Sequence, residues 1–356
     1  MNLLESTIQK ITGQDSAARK RARARLEQLI MPYWALGRLM DLAEDLAGIT
    51  GSLNPPVKRK TIVTMAGDHG VVAEGVSAYP QEVTPQMVHG IVAGGAGVNA
   101  LSRQAGASVV VVDMGVAGDL SELAAAGKII SKRIAAGTRN MARGAAMSRD
   151  EAVRALEAGI DIACELGSNV DVFGTGDMGI GNTTPSSAIV SVLSGSSVAD
   201  VTGRGTGVDD NQLEQKIRVI EKCIAVNQPD KNDGLDILAK VGGFEIGGIA
   251  GLILGAASLK KPVVVDGFIS TAGALIAHAI APASAEYMIA AHRSVERGHR
   301  IALELLGKKP MIDLDLRLGE GTGAALVMNF VEAAVRILTE VATFEEASVS
   351  KADSGH

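Results

Sequence analysis

Short apolar runs recur at residues 61–66, 108–112, 170–173, 262–265 and 287–290, and stretches of helical periodicity separate them. Runs this short, apolar at successive positions instead of alternating, read as strands buried on both faces of a parallel sheet. One intervening helix is well marked: Ser148 and Glu151 form a capping box, Gly167 closes it, and Val153, Leu156, Ile160 and Cys164 supply an apolar series. The chain ends differ. Residues 1–57 hold helix-like segments, one capped near Asp15, and no strand candidate; the last long helix carries Leu326, Phe330, Ala334, Ile337 and Val341. The pattern predicts an α/β fold, a doubly wound parallel sheet over residues 58–318, with a small helical subdomain built from 1–57 and 319–356. The polar stretch 345–356 is expected to fray.

Composition narrows the partners. A chain of 356 residues with 47% hydrophobic content can bury one large core. A net charge of −6 and 3% aromatic residues argue against a nucleic-acid surface. The basic run Lys20, Arg21, Arg23 and Arg25 reads as the solvated face of an N-terminal helix. Two cysteines, Cys164 and Cys223, make neither a disulfide framework nor a metal site, so a reducing cytoplasm is expected. No signal-peptide pattern opens the chain. The stretch 247–258 is too short to span a membrane, and 270–291 is interrupted by His278, Pro282 and Glu286.

The turns that end the strands point to chemistry. They contain Gly67-Asp68-His69-Gly70, Asp113-Met114-Gly115, Asp266-Gly267-Phe268 and His292-Arg293-Ser294, and the run Gly174, Gly176, Asp177, Gly179, Gly181, Asn182, Thr183 and Thr184 is densest. Ligands of open parallel sheets bind beyond the carboxyl ends of strands. Glycines let backbone approach an anion, hydroxyls donate to it, and the amides opening the next helix add positive potential. The run is therefore read as a phosphate cradle. Gly174, Gly176 and Gly179 also spell the dinucleotide fingerprint, which requires a second strand ending in an acid about 20 residues on. Asp200 stands near that distance, but no apolar strand leads to it, so a dinucleotide-dependent oxidoreductase is disfavoured. Asp68-His69 reads as a structural pair in a glycine turn, and His69, His89 and His292 lack metal-ligand spacing, so no metal and no cofactor is assigned. Asp113 and the Asp209-Asp210 pair could be cation ligands, but turn capping or ribose hydrogen bonding explains isolated acids more cheaply. Arg204, between two glycines, is either a phosphate contact or the partner of a local carboxylate. Glu320 is either a carboxylate stabilised at a helix N-terminus or a general base.

The chain resembles the nicotinate-nucleotide:dimethylbenzimidazole phosphoribosyltransferases, the CobT family. The resemblance rests on several motifs in one order: Gly-Val-Ser-Ala-Tyr-Pro-Gln-Glu-Val-Thr at 75–84, Gly-Gly-Ala-Gly-Val-Asn at 94–99, Gly-Thr-Arg-Asn at 137–140, and the 174–184 cradle. It continues with Gly-Arg-Gly-Thr-Gly-Val-Asp-Asp at 203–210, Val-Gly-Gly-Phe-Glu at 241–245, and Asp-Gly-Phe-Ile-Ser-Thr at 266–271. His-Arg-Ser at 292–294 and Leu-Arg-Leu-Gly-Glu-Gly-Thr-Gly at 316–323 complete the series. It implies a Rossmann-like homodimer without cofactor that exchanges the base of nicotinate mononucleotide for dimethylbenzimidazole or a similar lower-ligand base. It also implies Glu320 as catalytic base, phosphate and ribose contacts from the cradle and Ser294, and a lower-base pocket near Tyr79, Gln86, Met87 and Leu318. In two places the chain departs from the pattern. Asp177 stands where glutamate is usual, and Tyr33-Trp34-Ala35 replaces Pro-Gly-Ser. The shortened acid keeps open a nucleotide-binding partner subunit with weakened catalysis.

Overall fold

A computed structural model describes residues 2–350 apart from Thr206 and Val208. Its helices are α1 (Leu3–Lys10), α2 (Ser16–Leu26), α3 (Arg38–Thr50), α4 (Val83–Val92), α5 (Gly97–Ala105), α6 (Ser121–Ala125), α7 (Arg149–Gly167) and α8 (Thr183–Ser194). There follow α9 (Val198–Val201), α10 (Asp210–Asn227), α11 (Gly234–Val241), α12 (Phe244–Ser258), α13 (Phe268–Ile280), α14 (Arg297–Leu305) and α15 (Thr322–Glu340). The strands are β1 (Lys60–Gly67), β2 (Ala107–Gly115), β3 (Ile130–Ser131), β4 (Val172–Met178), β5 (Val263–Val265) and β6 (Met288–Ala290).

All strands run parallel in one six-stranded sheet of order β3-β2-β1-β4-β5-β6. This is the doubly wound arrangement, and its order reverses between the adjacent strands β1 and β4. The side chains sort by the two-residue period of a strand. Val63, Met65, Phe173, Val263 and Val265 join the core beneath α7, α8, α12 and α13. Ile62, Ala66, Val172, Val264 and Ile289 join the opposite core beneath α3, α5 and α15. Both faces are therefore covered, which is why the strands read as continuous apolar runs.

The chain ends do meet, since α2, α3 and α15 share one core cluster that includes Leu26, Met40, Leu46, Val331 and Leu338. α15 also lies directly on the sheet, and α1 packs elsewhere, with Leu4 in the core under α7 and α12. By length and composition α15 could cross a membrane, yet 56% of its apolar window is buried within the fold, as suits a core helix. Asp15 caps α2 by accepting from the Ala18 N–H at 2.8 Å. The basic face of α2 is solvated, with Lys20, Arg21 and Arg23 exposed, and two of its members also pair, Arg23 with Glu44 and the partly buried Arg25 with Glu346. Trp34, held at a positive φ of 52°, donates from Nε1 to Asp41 at 2.9 Å and lies under the Arg23 guanidinium.

Three sequence expectations need correction. Residues 345–350 do not fray, because Phe344 N–H bonds Gln28 O at 2.9 Å and Glu346 pairs with Arg25; residues 351–356 lie outside the described residues. Cys164 is exposed, since the buried stripe of α7 runs through Ala152, Ala155, Leu156, Gly159, Ile162 and Ala163. The third correction concerns β4, which extends through Met178, so that Gly174 and Gly176 lie inside a strand and not in the loop after it.

α7 and α12 approach closely because glycines face backbone across the contact. A Cβ on Gly251 would fall 1.9 Å from Leu156 O, and one on Gly159 would fall 2.0 Å from Gly248 O. No rotamer change relieves a clash with main chain. Gly251→Val is therefore expected to destabilise the protein by about 3 kcal/mol, the upper end for overpacking, read as a lowered urea midpoint. An unchanged midpoint would show that the two helices do not touch this closely.

Candidate active site

The carboxyl ends of β4, β5 and β6 open into a cavity of about 730 Å³, lined there by Asp177, Gly267 and His292. One wall is the turn entering α15. Gly319, Glu320 and Gly321 all have positive φ, at 83°, 63° and 103°, and for Glu320 this costs roughly 1–2 kcal/mol. The turn is held from several directions. Thr64 Oγ donates to Glu320 O at 2.9 Å, and Asp266 accepts from Gly321 N–H at 3.1 Å and from Ala324 N–H at 2.9 Å. Asp266 is itself fixed by the Thr175 hydroxyl, which accepts its N–H at 3.0 Å.

This turn explains the glycines of β4. A Cβ on Gly176 would lie 2.2 Å from Glu320 O, and one on Gly174 would lie 2.4 Å from Ile62 and 2.9 Å from Met328 on α15. Both admit the α15 turn, and neither lines the cavity. Gly179 serves a third contact: its Cβ would lie 2.2 Å from Gly67 O, so it lets the ends of β1 and β4 close together. Gly181 provides a φ of 86° and also lies outside the lining. Thus the part of the predicted cradle that faces the cavity is Asp177, Met178, Gly179, Ile180, Asn182 and Thr183. Thr184 is buried behind it with its hydroxyl unpartnered.

Glu320 projects between α5 and the cavity. Its Oε2 accepts from Val98 N–H at 3.1 Å, and burial raises its pKa above the ordinary 4.5, an effect that this hydrogen bond opposes. Asp177 also lines the cavity, against the same turn. Its Oδ2 accepts from Asn182 Nδ2 at 3.0 Å, and Oδ1 is buried without a partner. Burial, then the nearby carboxylates of Asp266, Glu245 and Glu320, hold its pKa well above 3.8. On the β1 side, buried His69 and Glu245 pair at 2.7 Å. Burial works against the imidazolium, but Glu245 outweighs it and raises the His69 pKa. The Asp68-His69 turn is therefore structural in its contacts, with Asp68 bound to the Ala117 N–H at 2.8 Å. Asp113 likewise caps a turn, accepting from Gly115 and Val116.

The opposite end of the cavity is lined by Thr183, Gly205, Ser294 and the carboxylate of Glu296. Thr183 opens α8, and Lys216, a residue only 1% exposed that lies behind the lining, donates from Nζ to the Thr183 hydroxyl at 2.7 Å. Burial lowers the Lys216 pKa to about 8, against the pull of Glu296. Glu296 accepts from Gly205 N–H at 2.9 Å, and Ser294 lines the same end. Sequence reasoning missed Lys216, although a signal existed: it interrupts the apolar stripe Leu213, Val219, Ile220 and Cys223 of α10. Arg204, by contrast, is paired with Asp210 and lies outside the lining; the intervening Thr206 and Val208 lie outside the described residues. Asp200 sits exposed in α9, bonded to Ser197, and no strand precedes it, which removes the dinucleotide fingerprint.

The remaining wall is apolar, formed by Tyr79, Val83, Met87, Ile180, Phe268 and Leu318. Tyr79 and Leu318 are 52% and 60% exposed, so they form its rim. Val83 and Met87 stand one helical turn apart on α4. Gln86, about 100° around the helix from Met87, is exposed and outside the lining.

Fold and site together define an α/β protein with a nucleotide-sized crevice beyond the carboxyl ends of its strands, with Thr183 and Ser294 at one end and the buried carboxyl groups of Asp177 and Glu320 at the other. A family model described as phosphoribosyltransferase matches residues 11–349. Nicotinate-nucleotide–dimethylbenzimidazole phosphoribosyltransferase of Syntrophotalea carbinolica is 64% identical over 351 residues, covering 99% of each chain, and that of Desulfotalea psychrophila is 59% identical over 98% of this chain and 99% of its own. The crystal structure of CobT from Thermus thermophilus superposes with a TM-score of 0.90 at 43% identity, covering 94% of this chain and all of that one. The chain belongs to the nicotinate-nucleotide–dimethylbenzimidazole phosphoribosyltransferase family.

Asp177 gives the site a measurable signature. Its pKa is raised, so between 3.8 and that higher value the folded protein binds more protons than the unfolded chain. Stability therefore falls as pH rises through this window and stays lower above it. Asp177→Asn removes the contribution, and the ligand-free variant is expected to melt higher than the parent at pH 7. The gap should close as pH falls towards 3.8. Identical melting at pH 7 would contradict a buried, uncompensated carboxyl.

Proposed function

We infer that the protein moves the 5-phosphoribosyl group of nicotinate mononucleotide onto 5,6-dimethylbenzimidazole or a related lower-ligand base. Nicotinate is released, and α-ribazole 5′-phosphate is formed for cobamide nucleotide-loop assembly. The observation that carries this reading is the order of groups along the cavity, with Thr183 and Ser294 at one end, Thr183 backed by the buried Lys216 amine, and Glu320 at the other. The reading seats the phosphate against Thr183, Gly179, Ser294 and Lys216, the ribose along Asp177, and the acceptor base between the apolar wall and Glu320.

A benzimidazole nitrogen attacks carbon well when the proton on its other nitrogen can leave. Glu320 takes that proton as the new C–N bond forms. Its raised pKa makes it a stronger base than an exposed carboxylate, provided it is ionised. The leaving nicotinate begins as a pyridinium, so bond cleavage neutralises its ring and requires no acid. Attack opposite the leaving group inverts the anomeric configuration. The carboxylates of Asp177 and Asp266 offset positive charge that builds on the ribose. No step calls for a metal or a redox cofactor. The reading carries with it a cytoplasmic homodimer, a catalytic unit over 58–318, and a helical subdomain from 1–57 and 319–356.

Glu320→Gln keeps size and the Val98 contact but cannot accept a proton. Turnover is expected to fall about 10²- to 10⁴-fold while nucleotide affinity changes little, as product mass analysis and calorimetry would measure. The parent's kcat/KM should rise with pH through a pKa above 4.5, and the variant should lack that limb. Full turnover by the variant at neutral pH would reject the mechanism and leave the family membership untouched.

A further inference from the structure

His292 is 1% exposed, lines the cavity, and has no hydrogen-bond partner on either ring nitrogen. Its neighbours cannot supply one. Nε2 stops 3.8 Å from Asp266 Oδ1, and the carboxylate of Asp266 is already engaged by the Gly321 and Ala324 amides. His299, with its ring centroid 6.0 Å away, is fully used: Nδ1 accepts from Ser294 N–H at 2.8 Å, and Nε2 bonds the Thr271 hydroxyl at 2.9 Å. The His292 ring is also confined. A Cβ on Gly267 would lie 3.1 Å from its Nε2, and one on Gly323 would lie 2.1 Å from its Cδ2. A buried, confined imidazole with both nitrogens open is costly unless a ligand completes it.

We propose that His292 is a substrate-binding residue that holds a ribose hydroxyl of the nucleotide. The surrounding charge selects that group. A ligand carboxylate here would meet the carboxyl groups of Asp177, Asp266 and Glu320, and a phosphate is better served at Lys216 and Thr183. A hydroxyl is neutral, both donates and accepts, and so suits either tautomer of the ring. The sugar is also the part of a nucleotide that lies between its phosphate and its base. This inference rests on the nucleotide reading given above.

The test is a binding cycle by calorimetry, using nicotinate mononucleotide and its 2′-deoxy and 3′-deoxy analogues with the parent, His292→Ala and His292→Phe. Phe retains ring bulk, so it guards against collapse of the Ala variant, and thermal melts check both. The parent is expected to bind one of the two analogues on the order of 10- to 100-fold more weakly than the ribonucleotide. In both variants that difference should shrink to within about threefold, the scale of coupling expected between groups that no longer interact. Equal discrimination by parent and variants would overturn the contact, as would a parent that binds all three alike. Failure to bind any of the three would overturn the contact together with the nucleotide reading. Turnover of nicotinate mononucleotide by the parent, measured separately, tells these failures apart.

Discussion

The site depends on how closely the entrance of α15 can lie on β4. Gly174 and Gly176 leave the strand bare where the helix and the Glu320 carbonyl press on it, and Asp266 binds the first amides of the helix from the neighbouring strand. A side chain at either glycine would lift the turn. The left-handed conformation of Glu320 persists because Thr64, Asp266 and Val98 hold it from separate elements. The residue is thus placed by backbone geometry that a sheet and a helix fix jointly, and its carboxylate is held by the Val98 amide.

Charge in the crevice is arranged by burial as much as by pairing. Asp177, Glu245, Asp266 and Glu320 are all buried close to one another, with His69 as an ion-pair partner on one side and the amides of α15 on another. Carboxylates crowded in a poorly solvated space resist ionising together. A ligand bearing positive charge relieves that crowding, which a pyridinium nucleotide does in its ground state and an oxocarbenium-like ribose does during reaction. At the far end the hydroxyl groups of Thr183 and Ser294 face the crevice, and the buried amine of Lys216 stands behind Thr183 as a source of positive charge. The two ends therefore fit a molecule that carries both charges in a fixed order.

Much of this architecture was legible because buried parallel strands announce themselves as short apolar runs. Residues 61–66 and 108–112 fall within β1 and β2, and the capping box at Ser148 and Glu151 marks the start of α7. β3 was not legible, since two residues of pairing leave no pattern. β4 was cut short for a physical reason: Gly174 and Gly176 have poor strand propensity, and they are there to receive a helix from another part of the chain, which local sequence does not reveal. The same limit applies to the site. Glu320, Asp177, Ser294 and the turn containing His292 stood out through their motifs, whereas Lys216, and the unpartnered state of the His292 ring, depend on burial and on neighbours far along the chain. Arg204 illustrates the converse, because an arginine between glycines reads equally well as a ligand contact or as the partner of Asp210.

The span of the contacts that set Glu320 bears on how the molecule is made. The Thr64 and Val98 bonds to this residue join positions 256 and 222 apart in sequence. During synthesis the amino-terminal strands emerge first and can begin to associate while the carboxyl-terminal helix is still inside the ribosome. Until α15 emerges, the surface of β4 around its glycines is an uncovered groove and the Glu320 carboxyl has no fixed place. This wall of the crevice is therefore completed late and all at once, when one helix closes over a sheet otherwise ready to receive it.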